Sequence, residues 1–207
     1  MSDRPNALSW AEYYQRTGGR PPRDTVLAAL DAFDAAGNAP PEGRLAVDLG
    51  CGAGRDAVEM LRRGWRVLGI DAEPSAIAGL LALPDLPGDA RARLDGRVAR
   101  FEDAQWPPCH LVNASFALPL CPPERFDALW ARIHDSLLPG GRFAGQLYGV
   151  RDSWAGRAGM TFHTAAGIDA RLAGWSVEMR REVEEDSTTV RGEAKHWHIF
   201  HLVLQKR

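Results

Sequence analysis

At 207 residues, with a net charge of −2, 45% hydrophobic and 25% charged residues, the chain is sized for one domain with a full core. No Lys/Arg stripe suits a polynucleotide, and the longest uncharged stretch, 106–123, is broken by prolines, His110 and Asn113, so neither nucleic acid nor a membrane is expected as a partner. The opening MSDRPNALSW lacks the basic and apolar regions of a signal peptide, and Cys51, Cys109 and Cys121 form no C-x-x-C pair, so a reduced, cytoplasmic protein is expected.

SWAEYYQR, short and aromatic, precedes a TGGRPPRD break. Asp24 then stands where it can cap a helix carrying Val26, Leu27, Leu30 and Phe33 at helical spacing, and GNAPPEG ends that helix. From Arg44 the elements alternate. LAVDLG reads as a buried strand, Arg55–Arg63 as a helix stopped by Gly64, and WRVLGID as the next strand. EPSAIAGLLAL reads as a helix with Pro74 and Ser75 in its first turn. A third strand is expected over 97–102 and a fourth at HLVNA. Glu124–Leu137 places Phe126, Leu129, Trp130, Ile133 and Leu137 on one helical face; the turn LLPGG and the strand RFAGQLYG follow. This spacing of strands and helices predicts an α/β fold, a doubly wound and mostly parallel sheet covered on both faces. Thr164 can cap a helix to Ala173, and WSVEMRREVEE with HWHIFHLVLQK predicts an antiparallel pair appended at the end.

DLGCGAGRDAVEMLRRGWRVLGID, residues 48–71, poses the choice of ligand. A dinucleotide site uses G-x-G-x-x-G, whose third glycine lets the helix lie close to the strand. Here Gly50, Gly52 and Gly54 make G-x-G-x-G, and Arg55 occupies the position of that third glycine. S-adenosylmethionine has no pyrophosphate. Its methionyl part needs close backbone approach, which the glycines permit; its ammonium suits Asp48; its ribose suits a bidentate acceptor at Asp71; and the helix starting near Arg55 offers N–H groups to its carboxylate. The pattern favours S-adenosylmethionine over a dinucleotide, which leaves a dehydrogenase as a distant alternative.

VDLGCGAGR, GIDAEPSAI, EDAQWP, LVNASFALPL and LLPGGRF occur in the order and spacing of class I S-adenosylmethionine-dependent methyltransferases, which the chain resembles over roughly residues 44–150. Arginine after the third glycine is most similar to the small bacterial tellurite-resistance and thiopurine-type branch. The stretch from Arg151 onward resembles small bacterial members with a KHWH-like last strand and points to no substrate. The resemblance implies a Rossmann-like, seven-stranded sheet; the whole chain is expected as one globular unit, with residues 1–43 as a helical cap or lid segment and the methyltransferase domain over 44–207. It implies that Gly50, Gly52 and Gly54 line the methionyl part and that Asp71 holds the ribose. By the same likeness Ala72 lies against adenine, Asp103 or its neighbour Glu102 accepts from the adenine amino group, the Ala104 backbone meets a ring nitrogen, and Asn113 stands beside the sulfonium.

Several residues carry two readings. Asp48 is a cofactor ligand or a structural hydrogen-bond partner. Cys51 is a packing residue or a thiol at the site, and Arg55 approaches the ligand or pairs with Asp71, Glu59 or a carbonyl. His196 and His198 share one strand face and His201 the other; no third donor stands at metal-site spacing, so no metal is expected. His163, His196, His198 and Tyr148 are the candidates for a catalytic base or acid. Trp10, Tyr13 and Tyr14 pack the N-terminal segment or form a lid that excludes water, and Phe116 and Trp154 are further candidates for the substrate wall. Trp106 is a core or wall residue, and REVEEDS reads as a solvated turn. The expected activity is methyl transfer to a small molecule, with protein or RNA methylation and non-catalytic binding of a nucleotide-like ligand as the alternatives; the oligomeric state is left open.

Overall fold

The computed structural model describes residues 19–37, 43–84, 86, 88–190 and 192–207. Helix α1 (Asp24–Ala35) buries Thr25, Val26, Ala29, Leu30 and Phe33. Arg23 occupies its N-cap position and offers no side-chain cap, while Asp24 is the first helical residue and accepts from the Thr25 N–H at 2.9 Å, so the expected cap shifts by one. Strand β1 (Leu45–Leu49), helix α2 (Arg55–Arg62), strand β2 (Arg66–Asp71) and helix α3 (Pro74–Leu81) follow. Strand β3 covers Leu94–Val98, four residues short of the expected end at Glu102, because the chain turns at 99–103 with the Asp103 and Ala104 N–H groups both donating to the Arg100 carbonyl.

Strand β4 (Cys109–Ala114) and helix α4 (Pro123–Ser136) come next, the helix burying Phe126, Leu129, Trp130 and Ile133. Leu137, expected on that helix, opens strand β5 (Leu137–Gly149) instead. LLPGG belongs to this strand as an irregular start: Gly140 has φ 75°, and pairing with β4 shifts between Cys109 and Leu111. A two-residue strand β6 (Phe162–His163) runs parallel to the end of β5. Thr164 caps helix α5 (Ala165–Arg171) through the Gly167 N–H, as its position predicts. The terminal strands are long, β7 over Trp175–Thr188 and β8 over Ala194–Lys206. REVEEDS is therefore strand, and the turn lies beyond it.

Among the described residues the sheet has eight strands in the order β3-β2-β1-β4-β5-β8-β7, with β6 beside β5. Strands β1 to β5 pair in parallel, and the β5–β8 and β8–β7 pairs are antiparallel. The seven strands expected from the sequence are present, and β6 is the addition. Alternating side chains divide two cores. Ala46, Leu111, Ala144 and Val203 face α1, α2 and α3, while Val47, Val112, Phe143 and Leu202 face α4 and α5. Two-residue periodicity inside apolar strands thus yields a sheet covered on both sides.

Candidate active site

After β1 the chain rises through Gly50, Gly52 and Gly54 with φ of 66°, 51° and 84°. The Gly50 and Cys51 N–H groups donate to the Ile70 carbonyl at 2.7 and 3.2 Å, tying the loop to β2. A Cβ on Gly50 would stand 2.6 Å from that of Ala117, and one on Gly54 would stand 2.5 Å from the Leu80 side chain. Gly54 therefore serves helix packing, one residue before the position used in the dinucleotide fingerprint, and does not line the cavity. The Arg55 guanidinium donates to the Pro21 carbonyl, anchoring the segment before α1, and the residue also reaches the cavity wall. Cys51 packs against Gly69, where its sulfur lies 3.0 Å from the site of a Cβ, and burial pushes its thiol well above the usual range.

Register brings Asp48 beside Gly69 and Asn113. The buried Asn113 amide donates to Asp48 Oδ1 at 2.8 Å and to Asp56 Oδ2 at 3.1 Å, and so bridges two carboxylates. Asp56 Oδ1 accepts from the Arg23 N–H at 2.9 Å. Asp48 is only 2% exposed and its Oδ2 has no partner, yet the residue lines the cavity. Burial first, then the Asp56 and Asp71 charges, raises its carboxyl well above the ordinary range, against the bond from Asn113. An orphaned buried acceptor beside glycine N–H groups fits the ammonium of an amino-acid ligand. Asp71 at the end of β2 accepts from the Gly52 N–H and the Glu73 N–H, both at 2.9 Å. The Asp71 carboxylate thus ties the glycine loop and the start of α3 to the end of β2, and it lines the cavity.

These groups open into one cavity of about 920 Å³. Asp48, Gly50, Gly52, Asp71 and Ala72 form its first end, joined by Cys51, Arg55 and Asp56. Beyond β3, Glu102 takes the wall position rather than Asp103: it is 4% exposed and accepts from Arg100 at 2.6 Å, whereas Asp103 is exposed and ion-paired with Arg125. Ala104 is buried off the wall with its N–H spent on Arg100, and Asn113 stands behind the carboxylates. Neither Ala104 nor Asn113 lines the cavity.

The other end is aromatic. Phe116 and Trp154, candidates for the substrate wall, and Tyr148, a candidate for catalysis, line it with Trp197 and Ile199 from β8. Among the described residues Phe116 alone has a positive φ without being glycine, at 57°. Its N–H donates to Gln146 Oε1 at 3.0 Å, and the same amide donates to Thr25 Oγ1 at 2.9 Å, linking β4, β5 and α1.

The three histidine candidates for catalysis lie elsewhere. His163 packs on Phe126, and burial drops its imidazole to about 4. His198 fills the space over Gly149, accepting from the Arg151 N–H at 3.1 Å, and His196 faces Asp186 and Glu184. Both share the strand face opposite Trp197 and Ile199. Among the described residues no group of His, Cys, Asp or Glu has metal-site geometry. Trp106 bonds to Ser136 and packs on the core. Trp10, Tyr13 and Tyr14 lie outside the described residues.

Sequence reasoning missed Asp56, Arg157, Trp197 and the β7–β8 tip, where Glu185, Thr188, Val190 and Glu193 reach the cavity. The one available signal was the alternation in HWHIF: with His196 and His198 on one face, Trp197 and Ile199 must share the other.

Residues 47–143 match the family described as "Methyltransferase domain". No curated protein matches the chain. Among solved structures, TehB from Haemophilus influenzae is 15% identical with a TM-score of 0.69, over 86% of this chain and 62% of that one. The chain thus spans less than two thirds of TehB's length. Magnesium protoporphyrin IX methyltransferase from Synechocystis PCC 6803, with bound S-adenosylmethionine, is 18% identical with a TM-score of 0.60, over 98% and 86% of the two chains. A Burkholderia thailandensis 1,6-didemethyltoxoflavin-N1-methyltransferase is 21% identical with a TM-score of 0.58, over 99% and 93%.

Proposed function

We propose that this class I S-adenosylmethionine-dependent methyltransferase transfers a methyl group to a small-molecule acceptor. The observation that carries the proposal is the single cavity of about 920 Å³ joining the carboxylate end to the aromatic end. Small-molecule sites span about 300–1,000 Å³, so this cavity lies near the upper end, and its two chemically distinct ends suit a cofactor and a small acceptor side by side. Bound S-adenosylmethionine supplies an electrophilic methyl carbon, which the acceptor's lone pair takes while the carbon–sulfur pair returns to sulfur.

The chain's own groups hold and align. Asp48 Oδ2 takes the methionyl ammonium, the glycine loop admits the backbone of that part, Asp71 takes the ribose hydroxyls, and Glu102 takes the adenine amino group. Phe116 stands at the junction in a strained conformation, the kind that persists where surrounding bonds enforce it. Alignment of this sort contributes on the order of 7–11 kcal/mol. The hairpin tip, with Arg20 and Arg23, encloses the mouth and limits water. Because α1 packs into the core, the cap on this reading is confined to the segment ahead of it, and removal of residues 1–20 lowers turnover more than cofactor affinity.

The Burkholderia thailandensis structure holds 1,6-didemethyltoxoflavin with S-adenosylhomocysteine, which agrees with a small acceptor. Calorimetry with S-adenosylhomocysteine against NAD tests the cofactor. A screen of thiols, metalloid oxyanions and small hydroxylated or amino compounds, read as S-adenosylhomocysteine formed, tests the acceptor. Methylation of bulk protein or RNA with no small molecule accepted overturns the substrate class.

A further inference from the structure

Tyr148 at the end of β5, Trp154 in the loop after it and Trp197 on β8 stand ring to ring. Their centroids are 6.4 Å apart for Tyr148–Trp154, 6.0 Å for Tyr148–Trp197 and 5.9 Å for Trp154–Trp197, with interplanar angles of 59°, 73° and 54°. Rings meeting at such angles form a partial box, an arrangement that attracts organic cations through the negative ring faces.

This box already has its cation. Lys195 Nζ lies 4.0 Å from the Trp154 centroid, 4.3 Å from Trp197 and 5.4 Å from Tyr148. Its side chain has no solvent exposure and is ion-paired with Asp152, whose side chain is equally buried. The rings line the cavity and the lysine does not, so the ammonium sits behind them. Asp152 also accepts from the Trp154 N–H at 2.9 Å and the His198 N–H at 3.2 Å, which pins the loop to β8. Arg157, on the cavity wall, places a second cation 4.4 Å over Trp154.

The consequence for a ligand is electrostatic. Rings that already face one ammonium attract a second cation less, and Arg157 on the cavity wall repels it directly. A neutral or anionic electron-rich ring meets the opposite situation. Glu185 and Glu193 are exposed at the hairpin tip, where solvent screens their charge. Phe116, 6.3 Å from Tyr148, adds a further aromatic surface to the same end of the cavity.

We infer that the acceptor is a flat hydroxylated aromatic ring without positive charge, and that the buried Lys195–Asp152 pair sets this preference by holding an ammonium against the far side of the aromatic wall. The inference rests on the methyltransferase reading for its chemistry: the phenol gives its proton to water, the phenolate oxygen forms the bond to the methyl carbon, and the carbon–sulfur pair remains on sulfur. Nearby cations favour the ionised phenol, so the step needs no histidine in the cavity.

The test uses the full chain, two probes and one variant. 4-Nitrophenol changes absorbance on ionisation, and trimethylphenylammonium supplies the cationic ring. Expected for the parent is binding of 4-nitrophenolate about tenfold tighter than of the ammonium, with the bound phenol ionising at lower pH than the free one. In Asp152→Asn/Lys195→Met, which leaves no buried charge unpaired, both preferences collapse. Parent protein binding the ammonium as tightly as 4-nitrophenolate overturns the inference even if the variant fails to fold. So does a folded variant with unchanged preferences. S-adenosylhomocysteine titrated into the same samples separates the two readings. If it binds while the phenolate preference is missing, only the aromatic inference fails. If the preference is present but S-adenosylhomocysteine does not bind, the methyltransferase reading fails and the pocket assignment stands.

Discussion

Replacing Asp48 with Asn removes a charge and leaves nearly the same shape. In the native site Asp48 Oδ1 accepts from Asn113, Oδ2 is buried without a partner, and burial, with the Asp56 and Asp71 charges added, raises its carboxyl well above the ordinary 3.8. The folded protein therefore holds a proton here that the unfolded chain has lost, and stability falls as pH rises from about 4 toward the raised value. Asp48→Asn abolishes that decline and is the more stable protein at neutral pH. Ligand binding runs the other way, because only ionised Asp48 accepts fully from an ammonium. S-adenosylhomocysteine affinity of the parent should weaken as pH falls through the raised value, with proton release on binding. A charge-assisted bond is worth about 1.5–3 kcal/mol, so Asp48→Asn should bind roughly ten- to hundredfold more weakly at neutral pH and without the pH dependence. Calorimetry in buffers of different ionisation enthalpy measures affinity and proton release together, and urea denaturation across pH measures stability. Parent-like affinity in the variant, or no released proton, would refute the assignment of Oδ2 to the ammonium.

Asp71→Ala should cost both binding and stability, since it strands the Gly52 and Glu73 N–H groups; about 1–3 kcal/mol for each group left unsatisfied is expected in denaturant titration. Glu102→Gln should weaken S-adenosylhomocysteine binding severalfold while Asp103→Asn changes little, because only Glu102 lines the cavity; equal effects in calorimetry would reverse that assignment. Gly50→Ala forces a Cβ to 2.6 Å from Ala117 at a φ of 66°, so a melting curve should show a loss of about 1–3 kcal/mol. His163 is held neutral by burial, with its imidazole near 4 against 6.5 unfolded. The stability it contributes is present above 6.5 and is lost as pH falls toward 4, about 3 kcal/mol in all; in His163→Leu the acid limb of the stability curve should flatten.

The order of strands and helices from Arg44 onward could be read from local pattern, because apolar period, glycine stops and proline starts are properties of a few neighbouring residues. So could the glycine loop framed by Asp48 and Asp71, since a left-handed turn needs glycine and the two acids are fixed to it by short chain distances. The end of β3 could not, because the turn at 99–103 closes through the Arg100 carbonyl and leaves no compositional mark; that small shift exchanges Asp103 for Glu102 at the wall. Nor could the roles of the histidines. A strand's alternation says that His196 and His198 share a face, but only the packing of β8 between β5 and β7 decides which face meets the cavity. The acceptor end is the extreme case: Tyr148, Trp154 and Lys195 are brought together by antiparallel pairing of segments some fifty residues apart, Phe116 joins them through the parallel β4–β5 pair, and nothing local to any of them encodes the others. Local sequence set the cofactor loop, and tertiary pairing alone chose what stands opposite it.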